Sequence, residues 1–249
     1  MKAVVLGGTS GIGRALARRL SARGDAVFLL GNMPEELARS AADLSARQSG
    51  GAAALAVGHA ACDLELPQGF AAALDAADAA LGNFDTVIIT AAMFASQAEL
   101  EQDHELARRL LTVNYAHTVL FCELVRERLL KRGGGRLTVF SSVAGDRGRK
   151  PVGIYGSSKA GLSVYLEALD HKYHAAGLSV LCVKPGFVKT GMTAGLKPPP
   201  FAGEPDQVAV DVLAAMDRGR PLLYTPRMWA LVMLVIRLLP RFVMRKINF

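Results

Sequence analysis

Cysteine is scarce in this chain. Cys62, Cys122 and Cys182 stand far apart, are odd in number and form no Cys-x-x-Cys pair. A disulfide scaffold is thereby excluded, and a reducing, cytoplasmic setting is the expectation. No segment reaches the ~20 uninterrupted apolar residues that a membrane-crossing helix needs. Met1-Lys2-Ala3-Val4-Val5-Leu6 runs straight into glycines, without the apolar stretch and cleavage site of a signal peptide. Acidic residues are the scarcer charge: 22 Asp and Glu against 29 Lys and Arg leave a net charge of +7. That balance suits a polyanion or an anionic membrane surface and does not choose between them. No DNA- or RNA-binding module accompanies it, so a nucleic-acid partner is not expected.

Apolar residues make up 51% of the 249 positions and charged residues 20%, which excludes bulk disorder. Strand and helix signals alternate along the chain. Short apolar runs at 3–6, 26–30, 52–57, 86–90, 137–140 and 178–183 read as strands buried on both faces, with a last short one at 222–224. Helical spacing joins them. Ile12, Leu16, Ala17 and Leu20 mark a first helix ended by Gly24, and Pro34 opens a second. Leu106, Leu110, Val113, Leu120 and Leu124 line one face of a long helix closed by Gly133-Gly134-Gly135. A further helix covers 155–176 and ends at Gly177. Such alternation implies right-handed crossovers and an α/β fold, a doubly wound parallel sheet flanked by helices on both faces. There is no internal repeat and no interdomain linker. Residues 1–225 read as a single domain that includes a Pro- and Gly-rich surface loop at 190–205.

Composition shifts once, in the tail 226–249. A continuous apolar run, 229–236, is punctuated and followed by Arg227, Arg237, Arg241, Arg245 and Lys246, with Pro240 interrupting. The pattern fits an amphipathic segment in a bilayer interface or a terminal helix packed between subunits.

Gly7-Gly8-Thr9-Ser10-Gly11-Ile12-Gly13 lies between the first strand and the first helix. Gly7 allows a tight turn, Gly11 lets backbone approach a pyrophosphate, and Gly13 lets helix pack on strand. The helix N-terminus offers free N–H groups and a positive dipole end to phosphate. The second strand ends Leu30-Gly31-Asn32-Met33, with no carboxylate for a ribose 2′-hydroxyl and no Arg for a 2′-phosphate. The absence of a cation there leans the expectation from NADPH towards NADH.

Tyr155 and Lys159 stand one turn apart on a helix. An ammonium beside a phenol favours the phenolate and makes Tyr155 a proton donor and acceptor near neutral pH. Ser142 follows the fifth strand, at the end that faces a ligand crevice, where its hydroxyl suits a carbonyl oxygen. Asn114 on the long helix suits anchoring a water beside the lysine.

In order and spacing, the glycine loop, Asn114, Ser142, Tyr155-x-x-x-Lys159 and Pro185-Gly186 resemble the short-chain dehydrogenase/reductase superfamily over nearly the whole chain. The resemblance implies a Rossmann fold that binds NAD(P)H and reduces a ketone or, reversed, oxidises a secondary alcohol. It implies Ser142 as carbonyl orienter, Tyr155 as general acid, Lys159 as ribose ligand and tuner of the tyrosine, and Asn114 as support of the proton relay. It places the cofactor along Gly7, Thr9, Ser10, Gly11, Ile12, Gly13, Asn32, Asp63, Leu64, Ala91, Tyr155, Lys159, Pro185, Gly186 and Val188, with Asp63 at the adenine. It also implies a homodimer or homotetramer through helices near 105–130 and 155–176. Two departures concern the cofactor surroundings: Leu6 replaces the usual Thr, and Ile89-Thr90-Ala91-Ala92 replaces the usual Asn-Asn-Ala-Gly.

A narrower resemblance, carried by 6–10, 141–147, 184–192, 195–197 and the tail, is to the decaprenylphosphoryl 2-ketopentose reductases. It implies a hydrophobic or lipid-linked keto-sugar substrate and a peripheral contact of 226–249 with the inner face of the membrane. Arg147, Arg149 and Lys150 then either approach a substrate phosphate or form a solvated basic loop. The stretch from Met192 to Phe201 is either a substrate lid stiffened by Pro198-Pro199-Pro200 or an exposed loop. The alternatives are a reductase for a ketoacyl, steroid or xenobiotic ketone, and a dinucleotide-binding regulator without turnover. His171 and His174 stand three apart, but no other ligand converges on them, so surface histidines and no metal are expected. Tyr165 and Tyr173 are expected to pack, and Cys182 to be buried and inert.

Overall fold

The apolar runs become a seven-stranded sheet in a computed structural model of the chain, which describes residues 1–47 and 57–248. The strands are β1 (Lys2–Leu6), β2 (Ala26–Gly31), β3 (Gly58–Ala61), β4 (Thr86–Ile89), β5 (Gly135–Phe140), β6 (Leu178–Pro185) and β7 (Leu222–Thr225). Their order is β3-β2-β1-β4-β5-β6-β7 and every pairing is parallel. Of the strand expected at 52–57, residues 52–56 lie outside the described residues, and Val57 precedes β3.

Side chains alternate across β1. Val4 and Leu6 join a core with Phe70 and Leu74 of α3 (Phe70–Leu81), Phe121 of α6 (Thr118–Lys131) and Leu162 of α7 (Gly153–Tyr173). Ala3 and Val5 face the other way, onto Leu16 of α1 (Gly11–Ala22), Leu37 of α2 (Pro34–Arg47) and Val208 of α8 (Pro205–Asp217). Both faces are therefore dry, which is why the strands read as continuous apolar runs. Each such Val or Leu contributes about 1.5–3 kcal/mol of burial.

The long helix of the sequence is three elements. α4 (Gln97–Gln102) precedes α5 (His104–Leu111), and a π turn, Thr112–His117, joins α5 to α6. The wider turn shifts the helix phase. Beyond it Phe121, Cys122, Val125 and Leu129 face the core, while Leu120, expected on the apolar face, is half exposed.

The parallel order reverses direction between β1 and β4, so their carboxyl ends open a crevice. The tail covers part of that edge. After β7 come α9 (Met228–Leu238) and α10 (Arg241–Met244). Met233 and Ile236 are buried against Val143, and Arg147 donates to the Leu239 carbonyl at 2.9 Å. No helix among the described residues is long and apolar enough to cross a membrane.

Candidate active site

The glycine turn works by closeness. Gly7 has φ +89°, and a Cβ on Gly13 would lie 2.1 Å from the Gly7 carbonyl oxygen and 2.6 Å from Thr90 Oγ1. Only glycine lets α1 start so near β1 and β4. Thr90 donates its hydroxyl between the carbonyls of Leu6 (3.1 Å) and Gly7 (3.2 Å). The side-chain bond that Leu6 does not supply is thus made from β4, a role that sequence reading missed. Ser10 caps α1 in an extended conformation without a side-chain capping bond, and no acid occupies the first turn. Its hydroxyl and the unpaired first-turn N–H groups suit an anion. Arg14 Nε donates to the Thr9 carbonyl at 2.7 Å and steadies the turn.

α7 carries Tyr155 and Lys159 and is keyed to β5. Ser141 Oγ donates to the Lys159 carbonyl at 2.8 Å, and a Cβ on Gly156 would meet the Ala144 carbonyl at 2.7 Å. This close packing brings Ser142 and Tyr155 to the same cleft. The Ser142 hydroxyl also accepts from Ala144 N–H at 3.1 Å. Phe94 packs edge-on to the Tyr155 ring, with centroids 5.1 Å apart.

Lys159 is buried, and its Nζ donates to the Phe140 carbonyl at 3.0 Å, 5.9 Å from the centre of the Tyr155 ring. Burial pulls the ammonium down to about 8. Burial also pushes the Tyr155 phenol up to about 12, against the lowering effect of the nearby Ser142. The lowering expected from the lysine does not govern the phenol here: burial does, and the ammonium is turned towards Phe140. At neutral pH the pair is a protonated phenol beside a cation, the form that gives a proton to a carbonyl oxygen.

Asn114 sits in the π turn, behind the pair. Its carboxamide is buried and paired with one residue, accepting from Met93 N–H at 2.7 Å and donating to Met93 O at 2.8 Å. One N–H and one lone pair of the carboxamide remain beyond these two bonds. Asn114 positions the chain after β4, and with it Phe94, against the π turn.

These groups share a cleft of about 540 Å³. Gly7, Ser10, Gly11, Ile12, Gly13 and Ala91 line one end, Ser142, Tyr155 and Lys159 the middle, and Pro185, Gly186 and Val188 the side beyond. Met192, Leu196 and Pro199 also line it, so the loop after β6 borders the cleft as a lid would. The far wall is Trp229 of α9, which the sequence reading left in the tail. Its indole lies so close to Gly186 that a Cβ there would be 2.1 Å from Nε1. Nε1 donates to the Phe201 carbonyl at 3.2 Å and ties the loop to the tail.

Thr9, Asn32, Asp63 and Leu64 lie outside this cleft, towards the carboxyl ends of β2 and β3. Thr9 is buried, Asn32 is exposed, and the Leu64 side chain belongs to the core. Asp63 accepts from Glu65 N–H at 2.9 Å and caps its own turn. Beyond Asn32, Arg39 pairs with Glu36, and Arg14 reaches the same carboxylate at 3.9 Å. Cations do stand near the end of β2, where sequence alone showed none, but a carboxylate holds them.

The glycine cradle, the open helix N-terminus, the uncharged Ser10 and the buried Lys159 fit a dinucleotide, which these residues would hold along the cleft. His171 and His174 are exposed, and among the described residues no group of three or more His, Cys, Asp or Glu is placed to hold a metal. Tyr165 donates to Glu123 at 2.6 Å, Tyr173 stacks under Arg126, and the three cysteines are buried.

Comparison with known proteins accords with this geometry. Residues 1–200 match the profile of the family described as short chain dehydrogenase. An uncharacterized oxidoreductase of Mycobacterium tuberculosis is 35% identical over 245 residues, 98% of this chain and 95% of the relative. Carbonyl reductase family member 4 of Xenopus tropicalis is 28% identical over 86% of this chain and 89% of its own. Among solved structures, a short-chain type dehydrogenase/reductase from Mycobacterium ulcerans superposes with TM-score 0.79 at 25% identity, covering 90% of this chain and 87% of that one. A variant of actinorhodin polyketide ketoreductase with NADPH gives TM-score 0.78 at 24% identity, covering 90% and 94%, a likeness of fold alone.

Proposed function

The chain belongs to the short chain dehydrogenase family and is an NAD(P)-dependent oxidoreductase, and from that premise we propose that it reduces the ketone of a hydrophobic, lipid-linked keto-sugar. Bound in the cleft, the reduced dinucleotide supplies hydride to the ketone carbon. Ser142 Oγ orients the carbonyl oxygen and Tyr155 Oη gives it the proton. Lys159 holds ribose, and its charge stabilises the phenolate left behind.

The observation that carries the substrate class is the far wall. Trp229, Met192, Leu196 and Pro199 make it apolar, and Trp229 comes from a helix with an exposed apolar stripe. Leu231, Leu234, Val235, Leu238 and Phe242 are 54–76% exposed. No Asp or Glu follows Asp217, whereas seven Arg and Lys do. An apolar stripe among cations supports peripheral contact with an anionic membrane, where such a substrate resides. The neutral Asn32 at the end of β2 supports NADH over NADPH. Exposed Leu111, Leu120 and Val164 on α5, α6 and α7 support a homodimer or homotetramer through those helices.

The test is parallel turnover of a polyprenylphosphoryl 2-ketopentose, a ketoacyl thioester and a steroid ketone, each with NADH and with NADPH. The proposal expects the lipid-linked sugar to give the highest kcat/KM, with NADH preferred. Equal or better turnover of the soluble ketones contradicts the substrate class.

A further inference from the structure

Beyond the Trp229 wall, the loop after Ser142 and the end of the tail enclose a second basin of about 440 Å³. Arg147, Arg149, Lys150, Arg241 and Arg245 line it, and no Asp or Glu among the described residues does. The carboxylate next in sequence favours the Arg149 charge, but its hydrogen bonds go elsewhere. Asp146 is nearly buried, accepting from Lys184 Nζ at 2.6 Å and from the Tyr224 hydroxyl at 2.7 Å. Arg147 donates to the Leu239 carbonyl at 2.9 Å and Lys150 to Asn248 Oδ1 at 2.8 Å, bonds that hold loop and tail together without neutralising either charge.

Several cations elsewhere in the chain are balanced. Arg109, Arg128 and Arg132 each pair with a carboxylate at 2.6 Å. Five cations converging on one concavity repel one another, and an anion of fixed geometry relieves that repulsion. Arginine forks match phosphate oxygens two at a time. Arg149 lines this basin and the catalytic cleft alike, so the two are neighbours across one side chain. Met244 and Ile247 share the basin with the cations, and the exposed Leu238 and Phe242 lie just outside it in sequence.

The geometry points to a phosphate subsite: the basin takes a phosphate ester carried by the same molecule whose ketone meets Tyr155, with its hydrocarbon leaving along the apolar face of the tail. This rests on the reading of the cleft as a ketone-reducing site, and its test needs no turnover.

The probes are farnesyl phosphate below its micelle concentration and diethyl phosphate, titrated calorimetrically into protein saturated with NADH. The parent is compared with Arg241→Gln/Arg245→Gln, whose altered side chains touch neither the cleft nor the core. Both probes are expected to bind the parent, farnesyl phosphate more tightly, and the double variant roughly ten-fold more weakly. NADH affinity and melting temperature stay unchanged. Equal affinities in parent and variant, or no binding to the parent at about 10 mM probe, overturn the subsite. Phosphatidylglycerol vesicles distinguish the source of the phosphate. If the variant loses vesicle binding and keeps diethyl phosphate, the basin reads a lipid headgroup, and its assignment to the substrate is overturned. Failure to oxidise NADH with any ketone sinks the reductase reading and leaves these binding results standing.

Discussion

The two walls of the cleft differ in how their polar groups are used. On the wall from β4, β5 and α7, Ser141, Thr90 and Lys159, with Asn114 of the π turn behind them, are each committed to a main-chain partner within 3.2 Å. On the wall from the tail, Trp229 meets the cleft, and beyond it Arg241 and Arg245 border an open basin and leucines face outward. The first wall has geometry to keep: a proton donor and a carbonyl orienter act only when held in place. The second is charged and greasy, suited to binding rather than to chemistry. Reaction type thus belongs to the buried wall, and the proposed substrate class rests on the exposed one.

The contrast breaks most readily at the glycine turn. Gly13→Ala puts a methyl group against the Gly7 carbonyl and is expected to lower stability by about 1–3 kcal/mol. Dinucleotide affinity falls with it. Urea denaturation and fluorescence titration read the two effects.

A similar magnitude with the opposite sign is expected at Lys159. The ammonium lies at about 8 in the folded chain against 10.5 for an ordinary lysine. The unfolded chain therefore binds more protons between these values, and parent stability rises with pH across that window. The buried charge costs at most about 3 kcal/mol below pH 8. Lys159→Met is expected to be the more stable protein at pH 7 without cofactor, to lose that advantage by pH 10.5, and to be inactive. Urea midpoints from pH 7 to 10.5 check it. A parent that stays the more stable throughout contradicts the account of the buried wall.

Thr90→Val tests a lesser fixture. It removes the hydroxyl shared by Leu6 and Gly7 and is expected to cost about 1 kcal/mol, with weaker dinucleotide binding. On the exposed wall, Leu234→Gln with Leu238→Gln is expected to change stability by no more than about 0.5 kcal/mol. Sedimentation with anionic vesicles should nonetheless lose the protein from the pellet. A large loss of stability instead makes the stripe a packing surface.

The buried wall was largely legible in the sequence because its signals are local. The glycine spacing, the one-turn separation of Tyr155 and Lys159, and strand ends marked by Ser142 and Pro185 each lie within a few residues. What escaped depends on contacts between distant segments. Trp229 meets Gly186 across 43 residues of chain, and the basin joins Arg149 to Arg245 across 96. Leu120 was misplaced because a π turn shifts helical phase without a sequence mark. The expected lowering of Tyr155 counted charge and omitted desolvation.

The most direct test follows nicotinamide absorbance for the parent and Tyr155→Phe, each first titrated with NADH and NADPH and then supplied with a polyprenylphosphoryl 2-ketopentose. The expected result is equal nucleotide affinity in both proteins, nicotinamide oxidation matching ketone consumed in the parent, and a rate lower by about 10²–10⁴ in the variant. Failure of the parent to bind either nucleotide, or an undiminished rate in Tyr155→Phe, contradicts it.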